Sequence, residues 1–268
     1  MMRSALIAAG FFAALGVSFA NAQAAPKEDA WPFLVANVFD DRPIVDGTGV
    51  ISLDAPYRAE DAAIVPITIR SELPADSARK IEKITLVIDN NPSPVAAVFS
   101  FGDAGTISAI STRVRVDAYT SMHVVAEMSD GTLYAVEKFV KASGGCSSPG
   151  LKNPEEVAHR GEMQFRRFDG DAAAGLLEAQ LMIRHPNNSG LQRDPIGNYY
   201  IPAFFIHDLA LKIGEKELLR VEGGISISEN PNFRFTYKAA ADAPVSAEAK
   251  DTDGNVYTGD WPAAGEAS

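Results

Sequence analysis

Ile110-Ser111-Thr112-Arg113-Val114-Arg115-Val116 decides the fold. Ile110, Thr112, Val114 and Val116 fall on one side of an extended chain, and Ser111, Arg113 and Arg115 on the other. Period-two alternation is the mark of a half-buried strand, because successive side chains leave a pleated strand on opposite faces. It predicts a strand with the two arginines toward solvent. Downstream, Met122, Val124, Ala126 and Met128 line the next strand, with His123 on the opposite parity as a surface or interface histidine. Ser129-Asp130-Gly131 turns the chain, and Thr132 to Val140 returns. Upstream, Val65, Ile67 and Ile69 share a face, as do Ile84, Leu86 and Ile88, and Asn90-Asn91-Pro92-Ser93-Pro94 punctuates before Val95 to Phe101. Before these strands, Trp31-Pro32-Phe33 predicts an arm or short helix that docks by its aromatics.

The second half reads the same way. Leu177, Ala179, Leu181 and Ile183 alternate, then Leu209, Leu211 and Ile213, then Phe233, Phe235 and Tyr237. Asp251-Thr252-Asp253-Gly254 is a hairpin turn between Val245–Ala249 and Val256–Thr258. Many short strands between tight turns predict an all-β chain of two immunoglobulin-like β-sandwich domains in tandem. The boundaries fall at 25–142 and 162–268, with a linker over 143–161. Residues 1–24 read as a secretory signal peptide, with Arg3, an apolar run over Ala5–Phe19 and small-residue cleavage sites, which implies export to a periplasm.

Between the halves lies Ala142-Ser143-Gly144-Gly145-Cys146-Ser147-Ser148-Pro149-Gly150, with no large apolar residue and the single cysteine of the chain. In an oxidising compartment a lone cysteine has no internal partner, so it is free, modified or paired with another molecule. Cys146 reads either as a thiol presented to another protein or as a partly covered linker residue. Gly144 and Gly145 predict a mobile arm.

The charge, 35 acidic against 24 basic residues for a net of −11, argues against a nucleic-acid partner. No segment after the leader is long and apolar enough to insert in a membrane. His123, His159, His185 and His207 have no metal-ligand spacing, and no phosphate loop or nucleophile elbow occurs, so no cofactor, metal or catalytic residue is expected. Asp251, Asp253 and Asn255 lack the later glutamate of a calcium loop. His159 lies thirteen positions after Cys146 and could serve as its base only if two loose segments were preorganised.

Ala126-Glu127-Met128-Ser129-Asp130-Gly131 with Ser143-Gly144-Gly145-Cys146 resembles the end of the sulfur-carrier subunit SoxY. The Asn91-Pro92 turn and Phe99-Ser100-Phe101-Gly102 fit the same pattern. Ile183-Arg184-His185-Pro186, Gly190-Leu191, Ile201-Pro202-Ala203, Phe205-Ile206 and Asn230-Pro231 with Phe233 and Phe235 resemble its partner SoxZ. The mature chain is thus similar to a SoxY–SoxZ fusion, most of all the fused carriers associated with quinoprotein dehydrogenases. The resemblance implies a non-enzymatic carrier. Cys146 would be the attachment point for a sulfur-containing group, Gly144 and Gly145 would let the arm swing, and periplasmic redox enzymes of a sulfur-oxidation or quinoprotein dehydrogenase pathway would be the partners. The halves would pair intramolecularly, burying Phe204 and Phe205 against the first. The alternative is an accessory protein of a quinoprotein alcohol dehydrogenase system with a vestigial cysteine. In SoxY the cysteine lies in Gly-Gly-Cys-Gly-Gly at a chain end. Here Ser147 and Ser148 follow it and the chain continues.

Overall fold

A computed structural model describes residues 29–74, 77–149, 158–171, 173–239 and 243–263. The leader expected over 1–24 lies outside them, as do residues 150–157 of the expected linker. The first half holds helix α1 (Trp31–Phe39) and strands β1 (Ile44–Asp46), β2 (Ile51–Asp54), β3 (Val65–Ser71), β4 (Ile81–Ile88), β5 (Val95–Phe101), β6 (Gly105–Val114), β7 (Thr120–Met128) and β8 (Leu133–Val140). The second holds β9 (Met163–Phe168), β10 (Leu177–Ile183), β11 (Ile206–Ile213), β12 (Lys216–Gly223), β13 (Asn232–Ala239), β14 (Val245–Asp251) and β15 (Val256–Trp261).

Each half is a two-layer sandwich, as the alternation predicts, and the two stand in tandem. Their sheets also run on into one another. The order β1-β8-β7-β4-β5-β12-β11-β14-β15 makes one nine-stranded sheet, and β2-β3-β6-β13-β10-β9 one six-stranded sheet. The joins are antiparallel: β5 pairs β12 with Phe99 opposite Val221, and β6 pairs β13 with Ile110 opposite Phe235. The inward faces make one core, in which Phe99 of the first half meets Phe233 of the second edge-on at 6.3 Å.

The halves are therefore joined strand to strand. The pairing expected through Phe204 and Phe205 is not found. Both are half-buried, and Phe204 packs on His185 of its own half at 4.5 Å. Strand edges carry unpaired main-chain groups, and completing their ladders satisfies more of them than two phenyl rings can.

The aromatic segment near Trp31 does form a docked helix. Pro32 occupies its first turn, where no helical N–H bond is lost. Leu34 and Phe39 pack on Val87, Val125 and Leu133 on the outer face of the large sheet. That cover explains why β4 and β7 are buried on both faces. It also corrects the reading of His123, which is buried, stacked on Trp31 at 3.6 Å, and bonded through Nδ1 to Asp89 Oδ1 at 2.9 Å.

Candidate functional site

Cys146 lies at the seam between the halves, where the first half ends. Strand β6 stops at Val114, and residues 115–117 continue it as an extended segment. One side of that segment takes the second half's β12–β13 connection: Arg115 N donates to Ser226 O at 2.7 Å and Ser228 N to Arg113 O at 3.1 Å. The other side takes the thiol segment. Gly144 N donates to Asp117 O and Gly145 N to Val116 O, both at 2.9 Å, while Val116 N donates to Ala62 O at 2.8 Å. Asn91, buried in the β4–β5 turn, ties the layers: its Nδ2 donates to Arg115 O at 2.7 Å and Ser226 Oγ at 2.9 Å, and its Oδ1 accepts from Asp117 N at 2.9 Å.

The exposure expected of Cys146 is not found. Its accessible surface is 0%. The sequence carries no large apolar residue here because none is needed: main-chain hydrogen bonds hold the segment, and small residues permit the close approach. Gly144 has φ +79°, the left-handed region that favours glycine. A Cβ on Gly145 would run into Ala62 O and reach 2.8 Å from Val116 O. In this arrangement the glycines serve placement, where the sequence suggested swing.

A loop of the second half closes over the segment. Ser189 Oγ donates to Cys146 O, and Gln192 Nε2 donates to Ser148 O at 3.0 Å. The two are braced together, with Ser189 N donating to Gln192 Oε1 at 3.1 Å, and both are buried. The loop's foot is a buried polar cluster. Asn187 N donates to His185 Nδ1 at 3.1 Å, His185 Nε2 lies 3.6 Å from Asp251 Oδ2, and Tyr257 OH donates to Asp251 Oδ2 at 2.7 Å. Burial pushes the His185 pKa down, against the pull of Asn187 and Asp251. Burial, then the bond to Asp251, pushes the Tyr257 pKa up to about 12. At the loop's tip Ile196 is 95% exposed, beside exposed Tyr199 and Tyr200.

Burial first, and then the charge of Asp117, pushes the Cys146 thiol up to about 11, while Arg115 works the other way. Arg115 corrects the strand reading, being 2% exposed. Past the end of β6 the expected solvent face is roofed by the β12–β13 connection. Arg115 Nη1 donates to Ile225 O at 3.3 Å and Ile227 O at 2.6 Å, and its Nε has no hydrogen-bond partner. Desolvation lowers its pKa, opposed by Cys146 and Glu229. Arg113 is half-buried and donates to Asn230 O at 3.1 Å.

A thiol so placed is protonated at neutral pH, and only the thiolate is a nucleophile. The pair Cys146–His159 is not assembled: His159 is exposed and bonded to Glu162. Among the described residues no group of three or more His, Cys, Asp or Glu is placed to hold a metal. Asp251 is instead the hub of its hairpin, accepting from Asp253 N and Asn255 N. Of the residues that fix the thiol, Asn91 falls in a turn the sequence marks, and the buried Asn187 and Ser189 fall in Asn187-Asn188-Ser189-Gly190, whose composition is that of a loop. Gln192 has no sequence signal.

A single thiol set at the junction of two edge-joined immunoglobulin-like sandwiches defines the class of protein, and among the described residues no metal-holding group accompanies it. Family models match the chain twice: "Sulfur oxidation protein SoxY" over residues 35–146 and "Sulphur oxidation protein SoxZ" over 166–262. The chain belongs to these families as a SoxY–SoxZ fusion. Their members are carriers or adaptors of sulfur oxidation, which fits a non-catalytic role. No curated protein matches the chain. Among solved structures, superoxide reductase (neelaredoxin) from Ignicoccus hospitalis is 12% identical, with 34% of this chain and 79% of that chain covered and a TM-score of 0.31. A β-glycosidase from Bacteroides vulgatus is 7% identical over 80% of this chain and 24% of that one, with a TM-score of 0.23.

Proposed function

We propose that the chain is a periplasmic carrier that holds a sulfur-containing intermediate covalently on Cys146 and presents it to partner redox enzymes. The observation that carries this reading is where the SoxY match ends: its last residue, 146, is the one cysteine of the chain. The leader-like residues 1–24 support the compartment. A buried thiol pushed up to about 11 is inert while it stays buried. Carriage therefore requires the segment to leave its seat, and Gly144 and Gly145 then give it the freedom an arm needs.

The test is the intact mass of protein taken from the periplasm without reductant, repeated after reduction and with Cys146→Ser. The expected result is a reductant-sensitive increment on Cys146 that the variant lacks. A bare thiol while the partner pathway is active would overturn covalent carriage. It would leave an accessory protein of a dehydrogenase system, with a vestigial cysteine.

A further inference from the structure

The loop over residues 187–200 is the second half's contribution to the thiol site, and its contacts point in one direction. Ser189 and Gln192 spend their buried side-chain groups on the main chain of the thiol segment, at Cys146 O and Ser148 O. Cys146 itself has no accessible surface. Toward the first half the segment has no room to yield, because Gly145 already lies against Ala62 and Val116 carbonyls. A group bonded to Sγ needs volume, and packed interiors resist added atoms. The side held by two side-chain hydrogen bonds gives before the side held by main-chain hydrogen bonds and close main-chain contact.

We infer that Ser189 and Gln192 are positioning residues that latch the empty thiol segment in a shielded state, and that a group bonded to Cys146 breaks the latch. This rests on the carrier reading and deepens it: the load on the sulfur sets whether the segment is seated or displayed. An empty carrier hides its thiol from stray oxidants and disulfides. A loaded one offers its cargo. The latch is reached from outside without disturbing the core, since the same loop ends in the exposed Ile196.

Two measurements test it on the full chain. The first is the rate of iodoacetamide alkylation of Cys146, followed by mass, in wild type, Ser189→Ala and Ser189→Ala/Gln192→Ala. Alkylation forms the S–C bond and releases iodide and the thiol proton. Wild type is expected to react at least a hundredfold more slowly than the same chain in denaturant, and the double variant at least tenfold faster than wild type. Equal rates in folded and denatured wild type, or in wild type and the folded double variant, would overturn the latch. The second needs no variant: amide hydrogen exchange of wild type as free thiol and after reaction with tetrathionate. In that reaction the thiolate displaces thiosulfate and leaves Cys146 as S–S–SO3−, with no other oxidant consumed. Loading done in denaturant and followed by refolding ensures completion. The expected result is loss of protection at 144–148 and 187–192, with β4 and β7 unchanged. Protection retained in both segments of the loaded protein sinks the inference. Because the label is added by hand, this outcome is independent of whether the cell loads Cys146, which the native mass decides.

Discussion

Two loops of this chain, 142–149 and 193–200, are built from the same kinds of residue and end in opposite places. Both are rich in glycine, proline and polar residues. The first has no large apolar side chain, yet its cysteine is fully buried. The second carries Ile196, Tyr199 and Tyr200, all exposed. Hydropathy would have reversed them. What separates them is where their main-chain groups bond. The first loop bonds to other segments, Gly144 and Gly145 to residues 117 and 116, and Ser189 to Cys146. The second bonds largely to itself, with Asn198 N donating to Asp194 O, and Asp194 Oδ1 accepting from Ile196 N and Gly197 N. A loop that closes on itself leaves its side chains outside. One that completes its neighbours' hydrogen bonds is drawn in.

The contrast breaks most sharply at Gly145. Gly145→Val places a side chain against two main-chain carbonyls that cannot swing aside. The expected outcome is expulsion of the thiol segment and alkylation of Cys146 approaching the denatured rate, a gain of a hundredfold or more in the iodoacetamide assay. If the variant alkylates as slowly as wild type, the seat is not what shields the thiol.

Arg115→Met ranks second. It strips Ile225 O of its side-chain donor beneath the β12–β13 connection and leaves Ile227 O with only the longer bond from Asn187 Nδ2 at 3.4 Å. Loss of a buried charged donor costs about 2–4 kcal/mol, read from a denaturation curve. Arg115→Lys is expected to recover part of it.

The exposed loop is tested at its foot. Burial lowers the His185 pKa from its ordinary 6.5, with Asp251, Tyr257 and Arg160 facing the ring. The unfolded chain therefore binds a proton more readily than the folded one. The contribution is complete above pH 6.5 and is lost as pH falls below it. The melting temperature is expected to drop across that window, and His185→Gln is expected to flatten the drop. The smallest effect belongs to the tip: Ile196→Ser is expected to shift stability by no more than about 0.5 kcal/mol, as exposed substitutions do.

The strands were legible wherever one face met solvent. Val65, Ile67 and Ile69, or Phe233, Phe235 and Tyr237, alternate in sequence and are buried as a face. Alternation failed where a second layer was added. Arg115 keeps its parity but sits under a connection from the other half, and His123 under α1. Neither cover is written near the residue it covers. The thiol was legible as a singular atom in a glycine-marked segment, and not as a buried one, because its seat is made by Ala62, Val116, Ser189 and Gln192, scattered along the chain. The join of the sheets escaped for the same reason, since strand pairing across the halves leaves no local pattern.

That join has a consequence in time. Ser108 bonds to Thr236 across it, 128 positions away. As the chain is made, β5 and β6 exist as raw edges long before β12 and β13 can cover them. Contacts of such separation form slowly, and bare edges invite pairing with other molecules. A fragment that stopped at Cys146 would keep both edges bare, with only another copy to pair with. Carrying the second half on the same polypeptide supplies each edge with its proper neighbour at high local concentration once that half is made.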